Sequence, residues 1–297
     1  MRALRWLGYI GLASATTAAL TLLAICAGSE WRLRRYHDAP LQPLLPAHAA
    51  DAAEGERLAK ILGCWAGCHG QSGQGGSLDM EGYYSVTAPP LSPAIASYND
   101  AELARLIRYG VRRDGSSILG MTSYVFYPLG DQDLANVIAH LRRQPTHPMP
   151  PRKRSVTLSA RLGLLTGDWQ LPAEQIDPAR PRWGNLPRTT SFERGRYLAS
   201  VTCSECHGVD FHGNRFNDNT YDGGPSLIVV AAYDDASFRQ LLRTGVSPDG
   251  RDLGEMAWVA RNGFTHFTDT EIRDIHVFLR KYHGLPPLDA LPDTASR

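Results

Sequence analysis

The chain is poor in cysteine, with five in 297 residues, at positions 26, 64, 68, 203 and 206. That is too few for a disulfide-dense secreted scaffold. It lacks an excess of either charge sign: 31 Lys and Arg against 30 Asp and Glu leave a net charge of +1. No general nucleic-acid binder is expected from that balance, and no nucleic-acid partner is assigned. Long apolar runs are also scarce. A single uncharged stretch of 23 residues, Trp6 to Gly28, excludes a polytopic membrane protein. Low apolar content is not among the absences: 43% apolar and 21% charged residues exclude a disordered polymer and allow about two domain cores at this length.

The uncharged run is bracketed by Arg2 and Arg5 before it and by Glu30, Arg32, Arg34 and Arg35 after it. As a helix it would span roughly 34 Å at ~1.5 Å per residue, enough for a hydrocarbon core of ~30 Å. The competing reading is a cleaved secretory signal. Signal apolar regions are shorter, and Ala24-Ile25-Cys26 and Cys26-Ala27-Gly28 make poor cleavage sites. Residues 1–28 therefore read as a transmembrane anchor, with the signal peptide as the alternative. Cys26 reads as a small apolar residue of that helix. Residues 29–50, rich in Pro and Ala, read as a tether.

An internal repeat follows. Residues 51–143 carry Gly55, Cys64, Cys68-His69-Gly70, Pro89-Pro90-Leu91, Gly110-Val111, Asp114-Gly115 and Met121. Residues 191–284 carry Gly195, Cys203, Cys206-His207-Gly208, Pro225-Ser226-Leu227, Gly245-Val246, Asp249-Gly250 and Met256 in the same order. Both copies read as mainly helical. Asp100 and Asp234 are expected to cap a second helix in each. Leu134, Val137, Ile138 and Leu141 form a core-facing stripe on a last helix, mirrored by Ile272, Ile275 and Leu279. The segment between motif and second helix reads as a Gly- and Pro-rich loop without strand pattern. Residues 144–190 are a Pro-rich, net basic connector, in which Leu158, Leu162, Leu164, Leu165 and Trp169 suggest a packed strap rather than free coil. Residues 285–297 form a tail.

Cys203-Ser204-Glu205-Cys206-His207 is the attachment sequence of a c-type haem. Two thiols one helical turn apart reach the two vinyl groups of one porphyrin, and the adjacent imidazole meets its iron. A zinc site would need further Cys or His at ligand spacing, and neither copy offers a second pair; a dithiol redox pair would need a βαβ context. Cys64-Trp65-Ala66-Gly67-Cys68-His69 has three intervening residues, so the extra one must bulge, which Gly67 eases. The sixth iron ligands are assigned to Met121 and Met256, each six residues after an Asp-Gly. The bland alternative is two core methionines. His212 and Met80 lie too close to the motifs to reach the opposite haem face. His140, His276 and His283 read as packing or surface residues, which leaves His266 as the rival ligand.

Together these features resemble a class I c-type cytochrome duplicated in tandem. The resemblance covers residues 52–143 and 191–283. It implies an all-α fold of two tandem class I cytochrome c domains after an N-terminal transmembrane helix, with two covalently attached haem c groups. It also implies that the carbonyls of Pro89 and Pro225 accept the ring N–H of His69 and His207, and that Gly195 packs on Phe278 where the first copy pairs Gly55 with His140. Anchor and connector resemble the haem-bearing electron-transfer subunits of membrane-bound bacterial dehydrogenases, which usually carry three haems. The outline is also similar to the dihaem subunit of a haem-copper oxidase. Haem attachment in this family takes place outside the cytoplasmic membrane. That implies a single-pass inner-membrane protein with periplasmic haem domains. The expected role is electron relay between a respiratory dehydrogenase or quinol-oxidising complex and a terminal oxidase, through redox partner proteins in the periplasm or inner membrane. The alternative is a dihaem enzyme such as a peroxidase or thiosulfate dehydrogenase. The wider spacing of the first cysteine pair generates a direct test. Cys64→Ala should shift the pyridine haemochrome spectrum toward that of a single-thioether haem, whereas an unchanged spectrum and haem content would exclude a thioether at Cys64.

Overall fold

A computed structural model of the protein describes residues 2–42, 49–64, 68–80, 82–149, 151, 153–213 and 223–288. Its described elements run α1 (Arg2–Arg34), α2 (Ala52–Ile61), β1 (Gly76–Met80), β2 (Tyr84–Ala88), α3 (Leu91–Ala96), α4 (Asp100–Tyr109), α5 (Ser123–Phe126), α6 (Asp131–Leu141), β3 (Arg154–Val156) and α7 (Leu158–Thr166). They continue with α8 (Ser191–Thr202), α9 (Ser204–His207), α10 (Ile228–Ala231), α11 (Asp235–Thr244), α12 (Glu255–Asn262) and α13 (Asp269–Tyr282).

The protein is mostly helical, and the expected helix ends carry their caps. Asp234 accepts the Ser237 amide at the start of α11. In the first copy the cap is Asn99 rather than Asp100: its side chain takes the Glu102 amide while the Glu102 carboxylate takes the Asn99 amide. This reciprocal pairing satisfies two amides that a helix start otherwise leaves bare. Gly110 and Gly245 end α4 and α11 in the left-handed conformation, where a Cβ would be strained.

Each half is organised on one tight helix crossing. A Cβ at Gly55 would lie 1.8 Å from the Asn136 carbonyl oxygen, and one at Gly195 would lie 1.9 Å from that of Asp274. Only glycine lets α2 meet α6, and α8 meet α13, at backbone contact. Phe278 lies beside the second crossing, its Cβ 2.8 Å from the position a Gly195 Cβ would take. The stripes Leu134, Val137, Ile138, Leu141 and Ile272, Ile275, Leu279 are all buried against these crossings. Backbone bonds repeat as well. Gly75 and Gly213 donate to the carbonyls of His69 and His207, and Leu91 and Leu227 donate to those of Gly73 and Phe211. Phe211 adopts the left-handed conformation that glycine holds at 73.

One segment departs from the all-helical expectation. The stretch read as a loop folds as an antiparallel hairpin, β1 with β2, and β3 from the connector adds a third strand. The pairing joins Val86 to Arg154, residues far apart in sequence, and local periodicity carries no signal for such a partner. The hairpin packs on Gly120: a Cβ there would lie 2.6 Å from the Leu78 Cδ2.

The two halves share one core. Leu58, Leu103, Leu129 and Val137 belong to the same buried cluster as Tyr197, Phe238, Ile275 and Phe278. Polar contacts seal the seam. Arg57 is paired in two-pronged fashion with Glu271 at 2.8 and 2.9 Å, and the buried Tyr197 hydroxyl donates to Asp133 at 2.6 Å. The connector lies over the first half, with Arg182 and Asn185 on Asp131 and the Tyr127 hydroxyl on the Pro178 carbonyl.

The segment read as a tether from residue 29 begins as helix, because α1 continues to Arg34. Leu33 is buried with Leu164 and Leu171, Arg32 pairs with Glu174 at 2.8 Å, and the His37 amide donates to the Gly115 carbonyl. Residues 43–48 of that segment and residues 289–297 of the tail lie outside the described residues. Replacing Gly with Ala inside a helix ordinarily stabilises by up to about 1 kcal/mol. Gly195→Ala should do the opposite, costing about 1–3 kcal/mol through overpacking and lowering the thermal midpoint of the intact chain by several degrees. An unchanged or raised midpoint would contradict the crossing.

Candidate functional site

In each half the first helix runs into the cysteine motif. Cys64 follows α2 by a short turn, its amide bonded to the Ala59 carbonyl at 2.9 Å. Cys203 is the C-cap of α8, and Cys206 and His207 lie on α9. Residues 65–67, including the bulge expected at Gly67, lie outside the described residues.

The two histidines are held alike. The His69 Nδ1–H donates to the Pro89 carbonyl at 2.9 Å, and the His207 Nδ1–H donates to the Pro225 carbonyl at 2.7 Å. Pro89, not its neighbour Pro90, is the acceptor. A carbonyl can only accept, so each bond fixes the proton on Nδ1 and leaves the Nε2 lone pair bare. Burial pushes both imidazoles below their ordinary pKa, against the opposing pull of the proline carbonyl. Both rings are therefore neutral at pH 7, the state in which Nε2 binds a metal. Gly224 matters to the second site: a Cβ there would lie 2.5 Å from the His207 ring.

The thiols have the opposite character from a reactive dithiol. All four are free, and none is in a disulfide. Burial pushes Cys64 up to about 12 and Cys203 up to about 11. Cys206 is pushed up to about 12 by burial first and then by Glu205, Cys203 and Glu255. Cys68 is raised by burial and by Glu205. Redox-active cysteines need a depressed thiol pKa, so this environment does not suit disulfide exchange. Among the described residues no group of three or more His, Cys, Asp and Glu side chains could hold a metal ion. What the structure brings together in each half is a cysteine motif and one oriented imidazole. Met121 precedes α5 and Met256 is the second residue of α12. Both are half-buried and pack on the shared core, as do Cys64 and Cys203. The paired cysteines and the oriented histidine of each half fit a covalently held haem.

The rival ligands are placed elsewhere. His276 is fully buried and stacked on Phe238, with ring centroids 4.2 Å apart. His266 lies in a short 3₁₀ turn whose carbonyl accepts from Arg57, and His212 packs against Tyr282 and His283.

One residue of the site was not singled out from the sequence. Glu205, inside the second motif, takes a side-chain hydrogen bond from Thr122, the neighbour of Met121. Its carboxylate also raises the thiols of both Cys68 and Cys206. Glu205 therefore lies close enough to both motifs to act on a thiol of each. Its own pKa is raised, first by burial and also by Glu255, against the Thr122 bond. The only signal in the sequence was a carboxylate at a variable position of the motif.

Comparison with known proteins adds an independent line. The chain is 26% identical over 293 residues to the cytochrome subunit of a fructose dehydrogenase from Gluconobacter japonicus, covering 89% of this chain and 58% of the relative. It is 25% identical over 265 residues to the cytochrome c subunit of an alcohol dehydrogenase (quinone) from Gluconacetobacter polyoxogenes, covering 78% and 55%. The corresponding subunit from Gluconobacter oxydans (strain 621H) is 24% identical over 278 residues, covering 81% and 57%. No family model matches the chain. These similarities support a cytochrome c subunit family. The chain spans a little over half the length of these curated relatives.

Proposed function

We propose that this chain is a membrane-anchored periplasmic dihaem c-type cytochrome. It relays electrons between a respiratory dehydrogenase or quinol-oxidising complex and a terminal oxidase. The observation that carries this reading is the repeated, proline-anchored histidine beside a cysteine pair, His69 with Pro89 and His207 with Pro225. The likeness to cytochrome subunits of sugar and alcohol dehydrogenases supports it.

In this reading residues 51–143 and 191–284 are two class I cytochrome c domains. Cys64, Cys68, Cys203 and Cys206 supply the thioethers, His69 and His207 the proximal ligands, and Met121 and Met256 the distal ones. When bound, haem c supplies one-electron storage, with a thioether ligand raising the potential relative to a second imidazole. The protein's part is positional. Pro89 and Pro225 keep each Nε2 aimed and unprotonated, the shared core supports the half-buried cysteines, and the seam fixes one site relative to the other. The helix Arg5–Arg34, with mean hydropathy 1.9 over its most apolar window, is long and apolar enough to cross a membrane. As an anchor it would raise the local concentration of the redox sites at membrane partners.

The test is optical. Ferric protein should show the far-red charge-transfer band of Met-ligated haem at two-site intensity, and Met121→Ala and Met256→Ala should each remove about half of it. A high-spin haem in the unmodified protein, with peroxide or thiosulfate turnover, would replace the carrier reading with an enzymatic one.

A further inference from the structure

The connector helix α7 has two faces of unequal fate. Ala160 and Leu164 are fully buried. Leu158, Leu162 and Leu165, spaced i, i+4, i+7 along the other face, stay 51%, 48% and 41% exposed. Three leucines aligned on one exposed stripe are not the scattered apolar residues of an ordinary surface.

The position of this stripe identifies what covers it. Helix α7 packs on the end of α1. A Cβ at Gly28, near the end of the uncharged run, would lie 3.3 Å from the Leu165 Cδ2. One residue further, the buried Ser29 hydroxyl accepts from Arg161 at 2.8 Å. Glu30 then pairs with Arg154 at 2.7 Å. The exposed leucines thus continue the exposed apolar surface of α1 at the level where its charged residues begin. Trp31, 65% exposed at the same level, has the amphipathic character of residues found at a bilayer boundary, as do Trp6 and Tyr9 near the other end of α1. The basic residue Lys153 stands exposed just before α7, where it complements acidic headgroups.

We infer that α7 is a membrane-surface helix: Leu158, Leu162 and Leu165 enter the headgroup and acyl boundary of the bilayer that α1 spans. This rests on the anchor reading of α1. With α1 and α7 joined by packing and ion pairs, the haem-bearing body is held against the lipid in one orientation rather than swinging from residue 29.

Full-length holoprotein in vesicles of phosphatidylcholine and phosphatidylglycerol containing an acyl-chain diazirine lipid tests this. After photolysis, lipid adducts are mapped on the tryptic peptides 6–32, 155–161 and 162–182. Adducts should form on all three, and L158Q/L162Q/L165Q should reduce them on the latter two by about fivefold or more while leaving 6–32 unchanged. Adducts on 6–32 alone would overturn the inference with the anchor intact, since the leucines would then face water, a second copy or another subunit. Absence of adducts on 6–32 would refute the anchor, and the inference with it.

Discussion

Everything in this molecule is arranged around a helix crossing that admits no side chain. At Gly55 on α2 and Gly195 on α8 the opposing carbonyls of Asn136 and Asp274 occupy the space a Cβ would need. Backbone contact at that point fixes how the first helix of each half leaves the core, and its end delivers the cysteine motif. The proline carbonyl then completes the placement by setting the proton of the adjacent histidine. Crossing, motif and proline bond together define a site that one larger residue at 55 or 195 would displace.

The halves do not behave as beads on a string. A continuous apolar core runs through both, Arg57 bridges to Glu271, and the connector is strapped to the first half by Asp131. Exposed ion pairs contribute little individually, so the shared core, which also joins the two sites, dominates the attachment. Glu205 marks the meeting place, bonded to Thr122 of the first half while belonging to the motif of the second. A neutral net charge hides this division of labour. A basic connector reaches carboxylates of the mildly acidic first half at Asp131 and Asp133, and that of α1 at Glu30.

Much of this was legible in the sequence, for identifiable reasons. The motifs, the prolines and the stripe of Leu134, Val137, Ile138 and Leu141 are local patterns, and local patterns survive in one dimension. The cap at Asp234 is of the same kind. Asn99 displaced Asp100 because the choice turns on which side chain reaches the Glu102 amide, a matter of one residue that composition does not resolve. The hairpin with β3 was illegible, since its strands are short and one partner comes from the connector. The seam between halves was equally hidden: Arg57 with Glu271 and Tyr197 with Asp133 are pairs with no periodic signature. The strap could be anticipated from five apolar residues in a Pro-rich segment. Which of them would be buried and which left on the outer face of α7 only packing against α1 could decide.

The central claim is that both cysteine motifs hold a haem in the mature protein. Intact-mass spectrometry of the chain, produced with a c-type attachment system and followed by peptide mapping, tests it most directly. The expected mass exceeds that of the polypeptide by two haem groups, with one adduct on the peptide bearing Cys64 and Cys68 and one on that bearing Cys203 and Cys206. A single haem, or none, would contradict it.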